Sequence, residues 1–384
     1  MIQNKLTDIE INGFKSLVDV RLKPGNINVF IGTNAAGKSN FIHFFRMLSF
    51  MLAEPNGRLQ EFVGRYGGAN HLLFLNQGEQ ISARLEITTP KGYDEYKFTL
   101  ARTANDTLFF KDEAARFTSF DDEKQLNRRR NWFTYRGGHY EAKLLYYRKT
   151  SSIAKVITYL FRNLTVYQFH NTAEDSYLRS KARLTDSYYL RANGANLAAY
   201  MYKIKQYYPD YFQRIIIAVR QIIPDFDTFV LEPEYGRFIY LRWKERNPDY
   251  IFDASQASDG FLRAVALIVL LLQPLDMMPS VLFIDEPELG LHPEAIEFIA
   301  SLMKKVSNYR QLFISTQSPL LVSQFEPEDI IVVERKEGIT QFNRLDEAEL
   351  KDWLNEYSLG EKSRNKMPHF ANWLQTLKQK ILQL

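Results

Sequence analysis

Residues 32 to 39, GTNAAGKS, restrict the fold of this chain more than any other stretch. A glycine, four residues and then Gly-Lys-Ser stand between the apolar run INVFI, Ile27 to Ile31, and the apolar run FIHFFRMLSFML, residues 41 to 52. Strand, tight loop and helix must therefore follow one another without a break. The loop then presents backbone amides and a helix N-terminus outward, a geometry that suits phosphate oxygens. Gly37 lets the backbone curve, Lys38 brings charge to the β and γ phosphates, and the Ser39 hydroxyl is the expected Mg2+ ligand. Gly32, Asn34, Ala36, Gly37, Lys38, Ser39 and Asn40 are the candidate contacts for ATP. The plainer alternative is a glycine turn before a core helix.

A second constraint comes from SVLFIDEPELGLHP, in which four apolar residues deliver Asp285 and Glu286 to a strand end. In open parallel sheets ligand-binding groups gather there. Neighbouring strand residues point to opposite faces, so Asp285 is expected to hold Mg2+ while Glu286 orients or deprotonates an attacking water. A solvated acidic turn is the competing explanation.

The stretch DASQASDGFLRAVALIVLLLQP, residues 253 to 274, places a small polar turn before a helix too short to cross a bilayer. Ser258 offers a hydroxyl, Gly260 permits close approach, and the free amides of the helix start make a second phosphate cradle. Two cradles for one phosphate suggest two chains, each lending this loop to the other's nucleotide in a two-fold dimer. Taken alone, the same residues also read as an ordinary N-cap.

Strands alternating with helices imply an α/β fold with a mainly parallel core sheet. The opening stretch reads as a hairpin turning near Pro24 and Gly25, with Ile27 to Ile31 as its second strand. Strands are also expected at 81–87, 96–102, 280–284, 311–316 and 329–335, and helices at 197–219 and 293–306. Residues 1–102 and 251–384 are expected to form the two parts of the core, and 103–250 an inserted, helical, tyrosine-rich lid.

Composition mainly excludes. The chain has no cysteine, which removes disulfides and thiolate metal sites, and its net charge of +4 does not by itself announce nucleic acid. No signal-like or membrane-spanning run is present, so the expected location is cytoplasmic, with no membrane partner. Residues 124 to 149 hold eight basic residues against one acidic, interleaved with Trp132, Phe133, Tyr135, Tyr140, Tyr146 and Tyr147. That mixture suits phosphate contact and base stacking, and equally a solvated lid or a protein interface.

The set INGFKS, GTNAAGKSN, SDGFLR, FIDEPELGLHP and STQSP, in that order, resembles the ABC-type ATPases of the SMC, RecF and OLD group. Within it the chain is most like the compact RecF/OLD-like AAA-family ATPases of bacteria. The likeness extends over VYQFHNT, LRANGANLAAYM and residues 330 to 361. It implies an ABC/SMC-type ATPase head, a head-to-head ATP sandwich with Ser258 and Gly260 acting in trans, and Leu289 to Pro293 crossing the dimer interface. Where the group usually has Thr-His-Ser-Pro, this chain has Gln317 in the histidine's place. Gln317 can donate to a γ-phosphate but cannot become cationic, so hydrolysis is expected to be slow. Gln168 is the candidate for the glutamine-loop residue, or else a polar strand residue.

The resulting expectation is a slow ATPase that needs ATP and Mg2+ and forms a homodimer or higher even oligomer. It would pass its nucleotide state to DNA or to a partner effector, a nuclease or toxin, in phage defence or DNA repair. A nucleotide-sensing scaffold with little turnover and the motor subunit of a transporter are the alternatives.

Overall fold

A computed structural model of the 384-residue chain describes residues 4–353, apart from 54–56, 77, 127–128, 163, 174, 247–249, 346–347 and 352. The C-terminal stretch EYSLGEKSRNKMPHFANW, which carries no visible nuclease motif, lies outside the described residues.

In chain order the elements begin with β1 (Lys5–Asn12), β2 (Val20–Leu22), β3 (Ile27–Ile31), α1 (Lys38–Met51) and α2 (Leu59–Arg65). Next come β4 (Gln80–Thr89), β5 (Gly92–Arg102), β6 (Leu108–Ser119), α3 (Phe120–Leu126), β7 (Phe133–Tyr135), α4 (Leu144–Tyr147), α5 (Ser152–Arg162) and β8 (Thr165–Tyr167). They are followed by β9 (Ala182–Arg183), α6 (Leu197–Tyr207), α7 (Pro209–Ile222), β10 (Phe226–Phe229), β11 (Phe238–Ile239), β12 (Arg242–Glu245) and β13 (Ile251–Asp253). The last are α8 (Asp259–Leu272), β14 (Val281–Asp285), α9 (Pro293–Ser307), β15 (Gln311–Thr316), α10 (Pro319–Val322), β16 (Ile330–Lys336) and β17 (Ile339–Asn343).

Two six-stranded sheets organise these elements. The core sheet runs β17-β16-β3-β15-β14-β8 and is parallel except at β17; the other, β2-β1-β4-β5-β6-β7, is antiparallel. All five residues of β3 and of β14 are buried, as a parallel strand covered on both faces requires. Alternate residues serve different layers. Phe30, Phe283, Phe313, Ile331 and Val333 join α1 and the antiparallel sheet in one core, whereas Val29, Ile31, Leu282, Ile284, Leu312 and Ile314 join α6 to α9 in another. This explains the apolar sequence of α1: Phe45 meets Phe283 at 4.5 Å between ring centres, and Phe44 stacks on Phe98 of the antiparallel sheet. A helix between two sheets has little outer surface.

The expected N-terminal hairpin is corrected in its partner. β1 pairs with β2 and β4, while β3 crosses into the parallel sheet beside β15 and β16. β1 mixes buried and half-exposed residues and suits a sheet with one open face; β3 is apolar throughout and does not. Residues 103–250, expected as one inserted lid, contribute to every layer. β6 and β7 extend the antiparallel sheet, β8 closes an edge of the parallel sheet, and α6 and α7 pack with α8. Among the described residues no helix is long and apolar enough to cross a membrane.

Candidate functional site

Three loops leave the same end of the core sheet. Register pairs Ile31 with Thr316 and Asp285 with Ser315, so the phosphate loop, Glu286 and Gln317 follow three adjacent parallel strands at their carboxyl ends. Neighbouring strands lie about 4.8 Å apart, which brings these groups within reach of one small ligand.

The phosphate loop is held by its own chain. Gly37 has φ +113°, and a Cβ there would stand 1.9 Å from Thr340 Oγ1, so no other residue fits. Thr340 donates to Ala36 O at 3.0 Å and lies 2.6 Å from Ser16 Oγ, and Asn40 donates its amide to that Ser16 oxygen at 2.7 Å. The Lys38 ammonium folds over the loop onto the carbonyls of Gly32 and, at 3.2 Å, Thr33, and the residue is 6% exposed. Asn34 and Ser39 are exposed, and Ala36 is buried beneath the loop. Buried charge, a curved backbone and an outward serine at a helix start suit a phosphate chain with its cation.

Asp285 is buried and held on both oxygens. Ser315 donates its hydroxyl to Oδ1, and Gln168 donates its amide to Oδ2 at 2.5 Å while accepting from Arg46 at 2.6 Å. Gln168 thus links the Arg46 guanidinium to the Asp285 carboxylate. The backbone of Glu286 is left-handed, φ 45°, and its carboxylate accepts the Gln317 side-chain amide at 2.5 Å. Glu288 was not among the sequence candidates. Its Oε1 accepts from the Thr316 hydroxyl at 2.5 Å and the Gln317 amide nitrogen at 3.1 Å, and burial holds its carboxyl above the usual range. Two glutamates therefore fix one glutamine, one through its backbone and one through its side chain. Among the described residues no group of three or more His, Cys, Asp or Glu could hold a metal ion.

Ser258 and Gly260 belong to a different element. Ser258 is the exposed N-cap of α8 and its Oγ accepts from Phe261 N at 3.2 Å, so the ordinary capping explanation holds. Capping uses a lone pair and leaves the hydroxyl proton free to be donated elsewhere. Gly260 packs against the loop after Glu286: a Cβ would stand 2.6 Å from Gly290 O.

Two arginines of the basic stretch pair internally. Arg129 pairs with Glu86 and Glu123 and lies over Tyr93, Arg130 pairs with Asp122, and Lys97 and Arg116 each lie over the Trp132 ring. Phe133, Tyr140 and Tyr146 remain exposed. Neither Ser16 nor Thr340 was singled out from sequence; Ser16 does end the INGFKS run that carried the resemblance.

A sequence profile of the family described as "AAA domain, putative AbiEii toxin, Type IV TA system" matches residues 27–323. The fold is similar to an SMC head bound to the C-winged helix domain of ScpA, with 12% identity, a TM-score of 0.59, and 90% of this chain and 99% of that one covered. It is also similar to the SMC head domain with an extended coiled coil from Pyrococcus furiosus, bound to the C-terminal domain of ScpA, with 12% identity and a TM-score of 0.52 over 92% of this chain and 99% of that one. No curated protein matches the sequence.

Proposed function

The chain belongs to this AAA-domain family, with the fold of an SMC-type ATPase head, and on that premise we propose that two copies close on two ATP molecules and hydrolyse them. The observation carrying this reading is the pairing of a braced phosphate loop, completed within its own chain, with a capped and exposed serine loop on a separate helix.

In each half, the Gly32–Ser39 loop receives the triphosphate and Lys38 turns from its carbonyl partners to the β and γ oxygens. Ser39 and Asp285 would hold Mg2+, which neutralises charge on the phosphates when bound. Glu286 orients a water and takes its proton as the water oxygen bonds to the γ-phosphorus; the bond to the β–γ bridging oxygen breaks, leaving ADP and phosphate. Gln317 already donates to Glu286 and needs only to exchange that acceptor for a γ oxygen. Ser258 and the α8 N-terminus of the second copy close the open side, where they exclude water and add donors.

The Gln317 contact also favours a second reading, a nucleotide-dependent switch with slow turnover, since the amide occupies the carboxylate that must activate water. In either case the nucleotide state would pass to a partner, for which the family's toxin description supports an effector protein and the exposed aromatics support DNA.

Glu286→Gln tests the reading. The variant is expected to bind ATP, to double in mass on ATP by sedimentation, and to stay doubled because turnover is blocked. A variant that remains monomeric at saturating ATP contradicts it.

A further inference from the structure

The loop before α8 and the start of α8 itself are each tied by an arginine, and both ties end on one short segment. Arg179 donates from Nε to Thr172 O at 2.8 Å. Its Nη1 reaches the carbonyls of Ala254 at 2.5 Å, Ala257 at 2.9 Å and Ser255 at 3.2 Å, and its Nη2 reaches Asp259 Oδ1 at 3.0 Å. Arg263, in the first turns of α8, donates from Nη2 to His170 O at 2.9 Å and Thr172 Oγ1 at 3.0 Å. It also reaches Phe169 O at 3.3 Å through Nε and Leu289 O at 3.2 Å through Nη1.

That segment also touches the carboxylate. Gln168 at its start donates to Asp285 Oδ2, and the His170 ring nitrogen lies 2.8 Å from the Asp285 carbonyl. Leu289, the other acceptor of Arg263, is three residues beyond Glu286, and the next carbonyl, of Gly290, is the one against Gly260. Arg263 therefore joins three loops: the one beside Asp285, the one after Glu286, and its own helix start bearing Ser258.

A two-fold pair makes a geometric demand that a single site does not. Each copy offers two half-sites, its phosphate loop with carboxylates and its Ser258 loop, and both must meet the neighbour's counterparts at once. An error in their spacing within one chain is felt at both nucleotides, and misplacement by about 1 Å at a reacting centre costs on the order of 100-fold in rate. A planar fork with five donors can fix three loops together, whereas an ammonium acts as a point charge.

We propose that Arg263, with Arg179 as its second tie, is a positioning residue that fixes the outward Ser258 loop relative to Asp285 and Glu286 of the same chain. The proposal rests on the two-copy reading above.

The test uses full-length Arg263→Ala and Arg263→Lys with Ser258→Arg beside them, measuring ATP affinity, kcat, KM and Tm. In both Arg263 variants ATP affinity and KM stay within about twofold of the unsubstituted protein while kcat falls about tenfold or more. Arg263→Lys regains Tm without regaining kcat. Recovery of kcat together with Tm in Arg263→Lys, or near-normal kcat in Arg263→Ala, overturns the positioning role. If Ser258→Arg is inactive while both Arg263 variants turn over normally, only this proposal fails. If Ser258→Arg hydrolyses normally, the two-copy reading fails.

Discussion

Gly32–Ser39 and Ala254–Gly260 each lead into a helix of 14 residues, yet the first packs its turn and its lysine against its own chain and the second presents a capped serine to solvent. Around Gly37 the chain supplies Thr340, Ser16 and Asn40, and Lys38 is 6% exposed. Around Ser258 it supplies the Phe261 amide and the ties of Arg179 and Arg263, and leaves the serine exposed. A loop braced beneath its turn, with Asn34 and Ser39 left exposed, is a ready receptor for an anion. A loop held rigid with its donors outward is half of one, and the difference indicates what a second copy would add.

The comparison breaks most sharply at Lys38. Lys38→Ala removes the cation of a desolvated pair and is expected to weaken ATP binding by about 2–5 kcal/mol, roughly 30-fold to a few thousandfold, measured by fluorescence titration. Ser258→Arg should leave that affinity within about twofold while ATP-driven association and turnover are lost, because the obstruction stands only where the neighbour's phosphate would come. Equal damage to affinity by both substitutions would mean that the two loops serve one chain alone.

Two further substitutions sharpen the braced side. Thr340→Val leaves the Ala36 carbonyl without its donor and Ser16 with only its Asn40 bond, a cost of about 1–3 kcal/mol visible in urea unfolding, and loosens the loop that Gly37 turns. An effect confined to acid pH concerns His43 on α1, whose Nε2 is buried without a hydrogen-bond partner. Burial, and then the nearby Lys15 and Arg46 charges, push its pKa down to about 3. The unfolded chain takes up that proton near pH 6.5, so this stability is complete above pH 6.5 and is lost as pH falls toward 3. At pH 5 the loss is about 2 kcal/mol, and His43→Leu should flatten that part of the unfolding midpoint against pH.

The phosphate loop, the Asp285–Glu286 strand end and the buried α8 were legible in sequence because their chemistry fixes residue types at fixed spacings within a few positions. The brace was not. Ser16 and Thr340 meet across 324 residues, and neither type at either position announces the other. The same holds for Arg179 and Arg263, whose acceptors are mostly backbone carbonyls that any residue would provide. The hairpin was misassigned because alternation identifies a strand without naming its neighbour, and β3 revealed its different sheet only through its unbroken apolar run. The stretch 103–250 looked like one insertion because its strands are separated by loose, charged connections, yet β6 pairs along almost its whole length with β5.

Mixing two inactive variants tests the shared site most directly. A pair formed from one Lys38→Ala copy and one Ser258→Arg copy contains one complete site, the phosphate loop of the second facing the serine loop of the first. With half of the pairs mixed and one of two sites intact in each, turnover is expected to recover to about a quarter of the unsubstituted rate at most. A mixture no more active than its two components would contradict the two-copy site.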